Sequence, residues 1–200
     1  KISKFLGLIV KNKISKMLNR GVEKSDLVTV ANKGILKSLK GINNNIQIVS
    51  NGVDITKFSP KKKKRSSKLR LVYVGNFAEK DLFDWLISEL PKFKDLVIVN
   101  LIGDGRNKSR VLNKFTTAGL NFKDYGLVNH ERLPSLLQNM DLGFIFRKED
   151  VSESIPVSIF EFTSMNIPVI SNSVGLMSDF IKDNRLGFVV SSKKEFYDKI

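Results

Sequence analysis

From residue 69 onward, short apolar runs alternate regularly with amphipathic stretches. Leu69–Val74 is one such run, closed by Gly75, and residues 96–102 repeat the form and end at Gly103-Asp104-Gly105. A weaker run at 122–125 ends at Gly126, and further runs lie at 142–146, 168–171 and 188–190. Apolar runs of this length bounded by glycine predict buried strands. Between them, residues 82–90, 106–118, 133–139, 156–165 and 177–182 place apolar side chains three and four apart, and the last residues begin one more such stretch. These segments predict helices, the first stopped by Pro91, the second followed by Gly119, and the fourth carrying Pro156 in its first turn. Regular strand–helix alternation predicts an α/β fold, a Rossmann-like parallel sheet flanked by helices with right-handed crossovers.

The front of the chain reads differently. Ile2, Phe5, Leu6, Ile9, Ile14, Met17 and Leu18 fall at helical spacing with Lys4, Lys11, Lys13 and Lys16 between them, the pattern of a basic amphipathic helix. Residues 27–30 and 46–49 predict short strands; between them Asn32 is placed to cap a helix through Leu39, which Gly41 ends. Pro60 and the run Lys61-Lys62-Lys63-Lys64-Arg65 give 55–68 the composition of a linker. Charge divides the chain in the same region. The net +14 lies wholly in residues 1–68, which hold 17 Lys/Arg and 3 Asp/Glu, whereas residues 69–200 hold 17 of each. The basic front implies an anionic partner, whether a membrane surface, a nucleic acid or a phosphorylated substrate. The helix over 1–20 fits a membrane surface and fits equally a helix packed within its own domain. The run at 61–65 is explained as solvated linker, and no nucleic-acid partner is expected. There is no cysteine, no segment near the roughly 20 apolar residues of a membrane span, and no signal-peptide pattern at the start, so a cytoplasmic location is expected.

In an open parallel sheet, ligands bind beyond the carboxyl ends of the strands. Gly75, Gly103, Gly105 and Gly126 stand at three such ends, although the spacing is not that of a dinucleotide fingerprint. The richer segment is Ser152-Glu153-Ser154-Ile155-Pro156-Val157-Ser158-Ile159-Phe160-Glu161. Ser152 or Ser154 is placed to cap the helix, whose free first-turn N–H groups suit a diphosphate. Glu153 would repel that anion unless it points onward to sugar hydroxyls. Glu161 lies on a strip with Val157 and Ser158, and a carboxylate buried there needs donors such as a ribose diol. The plainer alternatives are a solvated loop charge at Glu153 and a helix-surface residue at Glu161. His130 reads as a solvated first-turn residue and Trp85 as core.

Two glutamates with seven residues between them, followed by Pro168-Val169-Ile170-Ser171-Asn172-Ser173-Val174-Gly175, resemble the retaining GT-B glycosyltransferases of group 1 (family 4 type). In order, Ile48-Val49-Ser50-Asn51-Gly52-Val53-Asp54, Val72-Tyr73-Val74-Gly75, Ile102-Gly103-Asp104-Gly105, Tyr125-Gly126-Leu127-Val128 and Leu133-Pro134-Ser135-Leu136-Leu137 also resemble successive family segments. The resemblance covers roughly residues 20–190. It implies a C-terminal remnant of the acceptor-side domain at 1–58, a basic linker at 59–68 and a nucleotide-sugar-binding domain at 69–200. It implies a hexosyltransferase-type enzyme that uses a UDP- or GDP-sugar, without metal or other cofactor, on a glycan or lipid-linked acceptor of surface polysaccharide synthesis. By the same resemblance Glu153 and Lys80 are catalytic: Glu153 holds the donor sugar and Lys80 neutralises the leaving diphosphate. Gly75, Asn76, Gly126, Leu127, Val128, Arg147, Ile155, Val157 and Glu161 bind the donor, with Glu161 on the ribose and the N–H groups of Ile155 and Val157 on the diphosphate. The chain departs from the family where Asn76 replaces the usual arginine after Gly75, where Asp81 replaces a glycine, and where Pro156 replaces a glycine and removes an N–H. Arg147 and Lys148 are placed to compensate. These departures keep open a second reading, a non-catalytic GT-B-like nucleotide-binding or partner module. A fragment, a trimmed chain or one half of a split gene is expected, lacking an N-terminal polypeptide, and it is expected to bind a nucleotide without turning over.

Overall fold

The computed structural model describes residues 2–78, 83–147, 155–172 and 175–200, with side chains described from residue 12 onward. By its contacts the chain forms two units, Lys1–Asn51 and Gly52–Ile200. The first contains helix α1 (Ile2–Glu23), strand β1 (Val28–Val30), helix α2 (Lys33–Leu39) and strand β2 (Ile46–Ile48). The two strands pair in parallel, Val28 opposite Ile46 and Val30 opposite Ile48. Asn32 caps α2, its side-chain oxygen accepting from the N–H groups of Gly34 and Ile35 at 2.8 and 3.1 Å. Gly41, at φ +87°, follows the helix in the left-handed conformation that its missing Cβ permits. The Asn43 side chain donates to the carbonyls of Val22 and Ser25 and that of Asn45 to Asp26, tying the end of α1 to the approach to β2. Ile14, Met17, Leu18 and Leu27 stay exposed and line a groove of about 580 Å³.

The second unit contains β3 (Leu69–Val74), α3 (Asp84–Glu89), β4 (Val97–Ile102), α4 (Lys108–Thr117), β5 (Phe122–Asp124), α5 (Leu133–Leu137), β6 (Leu142–Ile145), α6 (Val157–Ser164), β7 (Val169–Asn172), α7 (Gly175–Asp183), β8 (Gly187–Val190) and α8 (Lys193–Lys199). Six strands form one sheet in the order β5-β4-β3-β6-β7-β8, every pair parallel. Successive strand residues point to opposite faces, and two cores result. Leu71, Tyr73, Phe144 and Phe146 join Leu86, Phe115 and Phe196 from α3, α4 and α8. Val72 and Ile145 join Leu137, Ile159, Phe162 and Ile181 from α5, α6 and α7. Burial on both faces explains why the strands read as unbroken apolar runs, each fully buried large side chain contributing roughly 1.5–3 kcal/mol. Asn100 is the polar exception in β4. Its amide donates to the Leu71 carbonyl at 3.0 Å and its oxygen accepts from the Tyr125 hydroxyl at 3.3 Å, so its burial is compensated.

As expected, α3 ends just before Pro91, at Glu89, and the chain then makes a 3-10 turn, Leu90–Phe93, with the proline in its first turn, where no N–H is needed. Two expectations are corrected. Pro156 occupies the cap position of α6 and not its first turn, and Ser152 and Ser154 lie outside the described residues. The division between units falls after Asn51 and not at residue 58, and 59–68 is not a free linker. Phe58 is buried in the second unit's core, Lys57 pairs with Glu131 at 2.6 Å and Lys63 with Asp141 at 2.7 Å.

Asp141 closes the amino end of the central strand pair. Its Oδ2 accepts from the backbone N–H and the Nε of Arg70 at 2.8 and 2.9 Å, while its own N–H donates to the Arg70 carbonyl. Burial pushes its carboxyl up, but the bonds from Arg70 and Lys63 outweigh that and hold its pKa below the ordinary 3.8. A carboxylate with a depressed folded pKa adds stability that is present above its unfolded pKa and is lost as pH falls through the folded one. Asp141→Asn is expected to lower unfolding stability at neutral pH by about 1.5–3 kcal/mol. In urea titrations the gap between wild type and variant should narrow as pH drops below 3.8. Equal stability of the two at neutral pH would remove this role.

Candidate nucleotide site

The chain leaves β3 toward β4 and β5 on one side, then returns to place β6 on the other. The order of strands therefore reverses between β3 and β6, where an open α/β sheet has its crevice. The two strands pair only through Leu71–Leu142 and Val72–Gly143. Beyond these positions lies a cavity of about 300 Å³ lined by Tyr73, Val74, Gly75, Asn76, Ile145, Arg147, Pro156, Val157, Ser158 and Glu161. Its walls are the carboxyl ends of the two central strands and the first turn of α6. The first N–H groups of a helix have no carbonyl partner within it, and Pro156 offers no side-chain cap to those of Val157 and Ser158.

The rim is held by backbone approach. A Cβ on Gly103, at φ +125°, would run into the carbonyl of Gly75, and one on Gly105 into the carbonyl of Asn76. The Gly103 N–H donates to the Gly126 carbonyl at 2.8 Å, and Lys108 bridges the Gly103 carbonyl and the Asp124 carboxylate at 3.0 and 2.9 Å. The loops after β3, β4 and β5 are thus locked to one another. Phe77 takes a left-handed φ of 44° while fully buried, a conformation retained only when its surroundings over-determine it.

Glu161 is 5% exposed on the cavity side of α6. Its Oε1 meets Nε2 of His130 at 2.8 Å, and among the described residues its Oε2 has no hydrogen-bond partner. A carboxylate buried in this way is costly unless further donors reach it. It is therefore not a surface residue, and its helix presents the uncapped N–H groups of its first turn and a hydrogen-bond acceptor to the same cavity.

A family profile described as glycosyl transferases group 1 matches residues 68–200. The chain belongs to the group 1 glycosyltransferases. A Homo sapiens component of phosphatidylinositol N-acetylglucosaminyltransferase is 26% identical over 149 residues, 70% of this chain and 29% of that protein. Crystal structures superpose with the GT-B Rossmann-like fold. TarM of S. aureus, solved with fondaparinux, alpha-GlcNAc-glycerol and UDP, gives a TM-score of 0.72 at 22% identity, covering 94% of this chain and 38% of that one. HepE of Anabaena, solved with UDP and glucose, gives 0.74 at 16% identity, covering 94% and 56%. The chain thus spans less than two thirds of the length of each of these relatives.

Within this glycosyltransferase fold, Gly75, Asn76, Arg147, Val157 and Glu161 meet in the one cavity. Gly126, Leu127 and Val128 do not line it. Gly126 is locked to Gly103, Leu127 is 83% exposed and Val128 packs against the second core. Ile155 also packs on that core, one residue before the cap of α6. Glu153, Lys80 and Lys148 lie outside the described residues. The residue that sequence reading passes over is His130. Its signal was position, because it follows the strand end at Gly126, on the side of the sheet where ligands bind. Trp85 packs against Phe146 at 5.4 Å as core, as expected. Because Gly103 faces backbone and not a movable side chain, Gly103→Ala is expected to lower stability by about 1–3 kcal/mol. Chemical denaturation measures it, and a loss below about 0.5 kcal/mol, the range of neutral surface changes, would show that the strand-end loops do not interlock.

Proposed function

We propose that this chain is the donor-binding part of a glycosyltransferase that moves a sugar from a nucleoside-diphosphate sugar to a glycan or lipid-linked acceptor. The observation that carries the reading is the buried Glu161 carboxylate, with one oxygen unengaged among the described residues, in a cavity at the sheet's switch point. The ribose 2′- and 3′-hydroxyls supply the donors it lacks. The diphosphate lies at the first turn of α6, where Val157 and Ser158 supply N–H groups. Arg147 at the end of β6 supplies the positive charge that Asn76 does not, and cation and helix N–H groups together stabilise the departing nucleoside diphosphate. Lys80 and Glu153 complete the site in this reading, and the donor is the only small molecule it requires. UDP is favoured as the nucleotide because the TarM and HepE structures both hold it.

A lipid-side acceptor is supported by α1, where exposed Ile14, Met17 and Leu18 are accompanied by Lys13, Lys16 and Arg20. Such a face suits an anionic membrane surface, and the human relative's name carries a phosphatidylinositol. No helix among the described residues is long and apolar enough to cross a membrane. Co-sedimentation should show salt-sensitive binding to anionic vesicles and none to neutral ones, and equal binding to both would remove this part.

Isothermal titration of the chain with UDP tests the site. Glu161→Ala is expected to weaken UDP about 10–100-fold, the equivalent of roughly 1.5–3 kcal/mol for hydrogen bonds to a charged group. An unchanged affinity would remove the ribose assignment. The isolated chain is expected to bind without transferring sugar, and robust turnover would overturn that expectation.

A further inference from the structure

The Glu161 carboxylate has one hydrogen-bond partner among the described residues, the imidazole of His130, and the way that ring is held is specific. A 3-10 turn, His130–Arg132, follows the loop after β5, and Asn129 caps it by accepting from the Glu131 N–H at 3.0 Å. The turn sets the imidazole between two groups. On one side is the ring of Phe58, 1% exposed, with centroids 5.1 Å apart. On the other is Oε1 of Glu161 at 2.8 Å. An ionised carboxylate only accepts, so the shared proton resides on Nε2. The His130 side chain is 62% exposed while that of Glu161 is 6% exposed, so the imidazole reaches inward to a carboxylate that water scarcely touches.

We infer that His130 is the positioning residue for the ribose-binding carboxylate, an inference that rests on the ribose reading of Glu161 proposed above. By donating to Oε1 it fixes the rotation of the carboxylate and leaves Oε2 for the ligand. A lysine or arginine in its place would form a strong charge-assisted pair and compete with a neutral diol for the acceptor. The imidazole, held by a single bond from Nε2 to Oε1, leaves Oε2 to the ribose. Phe58 supplies the wall that keeps the ring from turning away. The acceptor-orienting function is thus built from the segment after Asn51, the turn after β5 and helix α6 together.

The test separates donation from packing and from the ribose reading itself. UDP and 2′,3′-dideoxy-UDP are titrated against wild type, Glu161→Ala, His130→Phe and His130→Gln, with melting temperatures recorded for each. His130→Phe keeps a ring on Phe58 without a donor, and His130→Gln keeps a donor nitrogen at similar reach. Loss of the two hydroxyls should weaken binding about 10–100-fold in wild type and not at all in Glu161→Ala. In His130→Phe that hydroxyl-dependent factor should fall to within about threefold of unity at unchanged melting temperature, and His130→Gln should restore most of it. A wild-type factor retained in His130→Phe overturns the inference. So does an equal weakening of both nucleotides with a lowered melting temperature, which marks a packing role. A factor that survives Glu161→Ala overturns the ribose reading first, and this inference with it.

Discussion

The contact between β3 and β6 is closed at one end and open at the other, and the rest of the second unit is arranged around that difference. At the amino end, the Asp141 N–H donates to the Arg70 carbonyl, and its carboxylate accepts from the Arg70 N–H and from the Arg70 and Lys63 side chains. Two residue pairs later the strands cease to pair. A parallel strand cannot turn back on itself, so each strand's carboxyl end must lead into a crossover. Here the crossovers leave in opposite directions, toward β4 and toward β7. The cavity is the space between those two departures, and it needs no dedicated scaffold beyond the order of strands.

That geometry also explains which residue types the rim tolerates. The loops after β3 and β4 approach so closely that a Cβ at position 103 or 105 would strike the backbone of Gly75 or Asn76. On the opposite wall, Gly143 leaves room in β6 for the ring of Phe162, and so lets α6 lie directly on the sheet. The glycines therefore bring backbone to the site, where the polar side chains of Asn76, Arg147, Ser158 and Glu161 stand beside the apolar ones of Val74, Ile145 and Val157. The core and the site are two consequences of the same close packing.

Much of this was legible in the residues. Strands buried on both faces leave continuous apolar runs, and Leu69–Val74 reads from sequence with the bounds the structure gives it. Asn32 was readable as a cap because its neighbours are a strand and an apolar helix face. The misreadings have a common physical origin in tertiary contact. Pro156 was read by the rule that proline opens a helix, but the rule leaves open which of several adjacent positions it takes. Residues 55–68 looked like linker because lysines are solvated by default, and only the carboxylates of Glu131 and Asp141, more than seventy positions along the chain, hold Lys57 and Lys63. His130 looked solvated for the same reason. Its ring is largely exposed, and the one bond that gives it meaning runs to a residue 31 positions away. The spacing of the two glutamates pointed to Glu161, but spacing alone says nothing about burial, which is what leaves that carboxylate in need of further donors.

A single helix joins the two halves of the proposed ligand. Val157 opens α6 and Glu161 stands four residues on, one turn along and on the same face, about 6 Å further down the axis. On the proposed reading the helix offers partial positive charge at its start and full negative charge one turn later. A nucleoside diphosphate has the complementary order, an anionic diphosphate joined through one methylene to a ribose that donates two hydrogen bonds. The match constrains orientation as well as affinity: reversed, phosphate would meet carboxylate and hydroxyls would meet bare N–H groups. The absence of an arginine at position 76 therefore weakens one contact without altering the direction in which the ligand lies. Direction is set by α6, and α6 is set in turn by Phe162 against Gly143 and by the two strands that part beneath it.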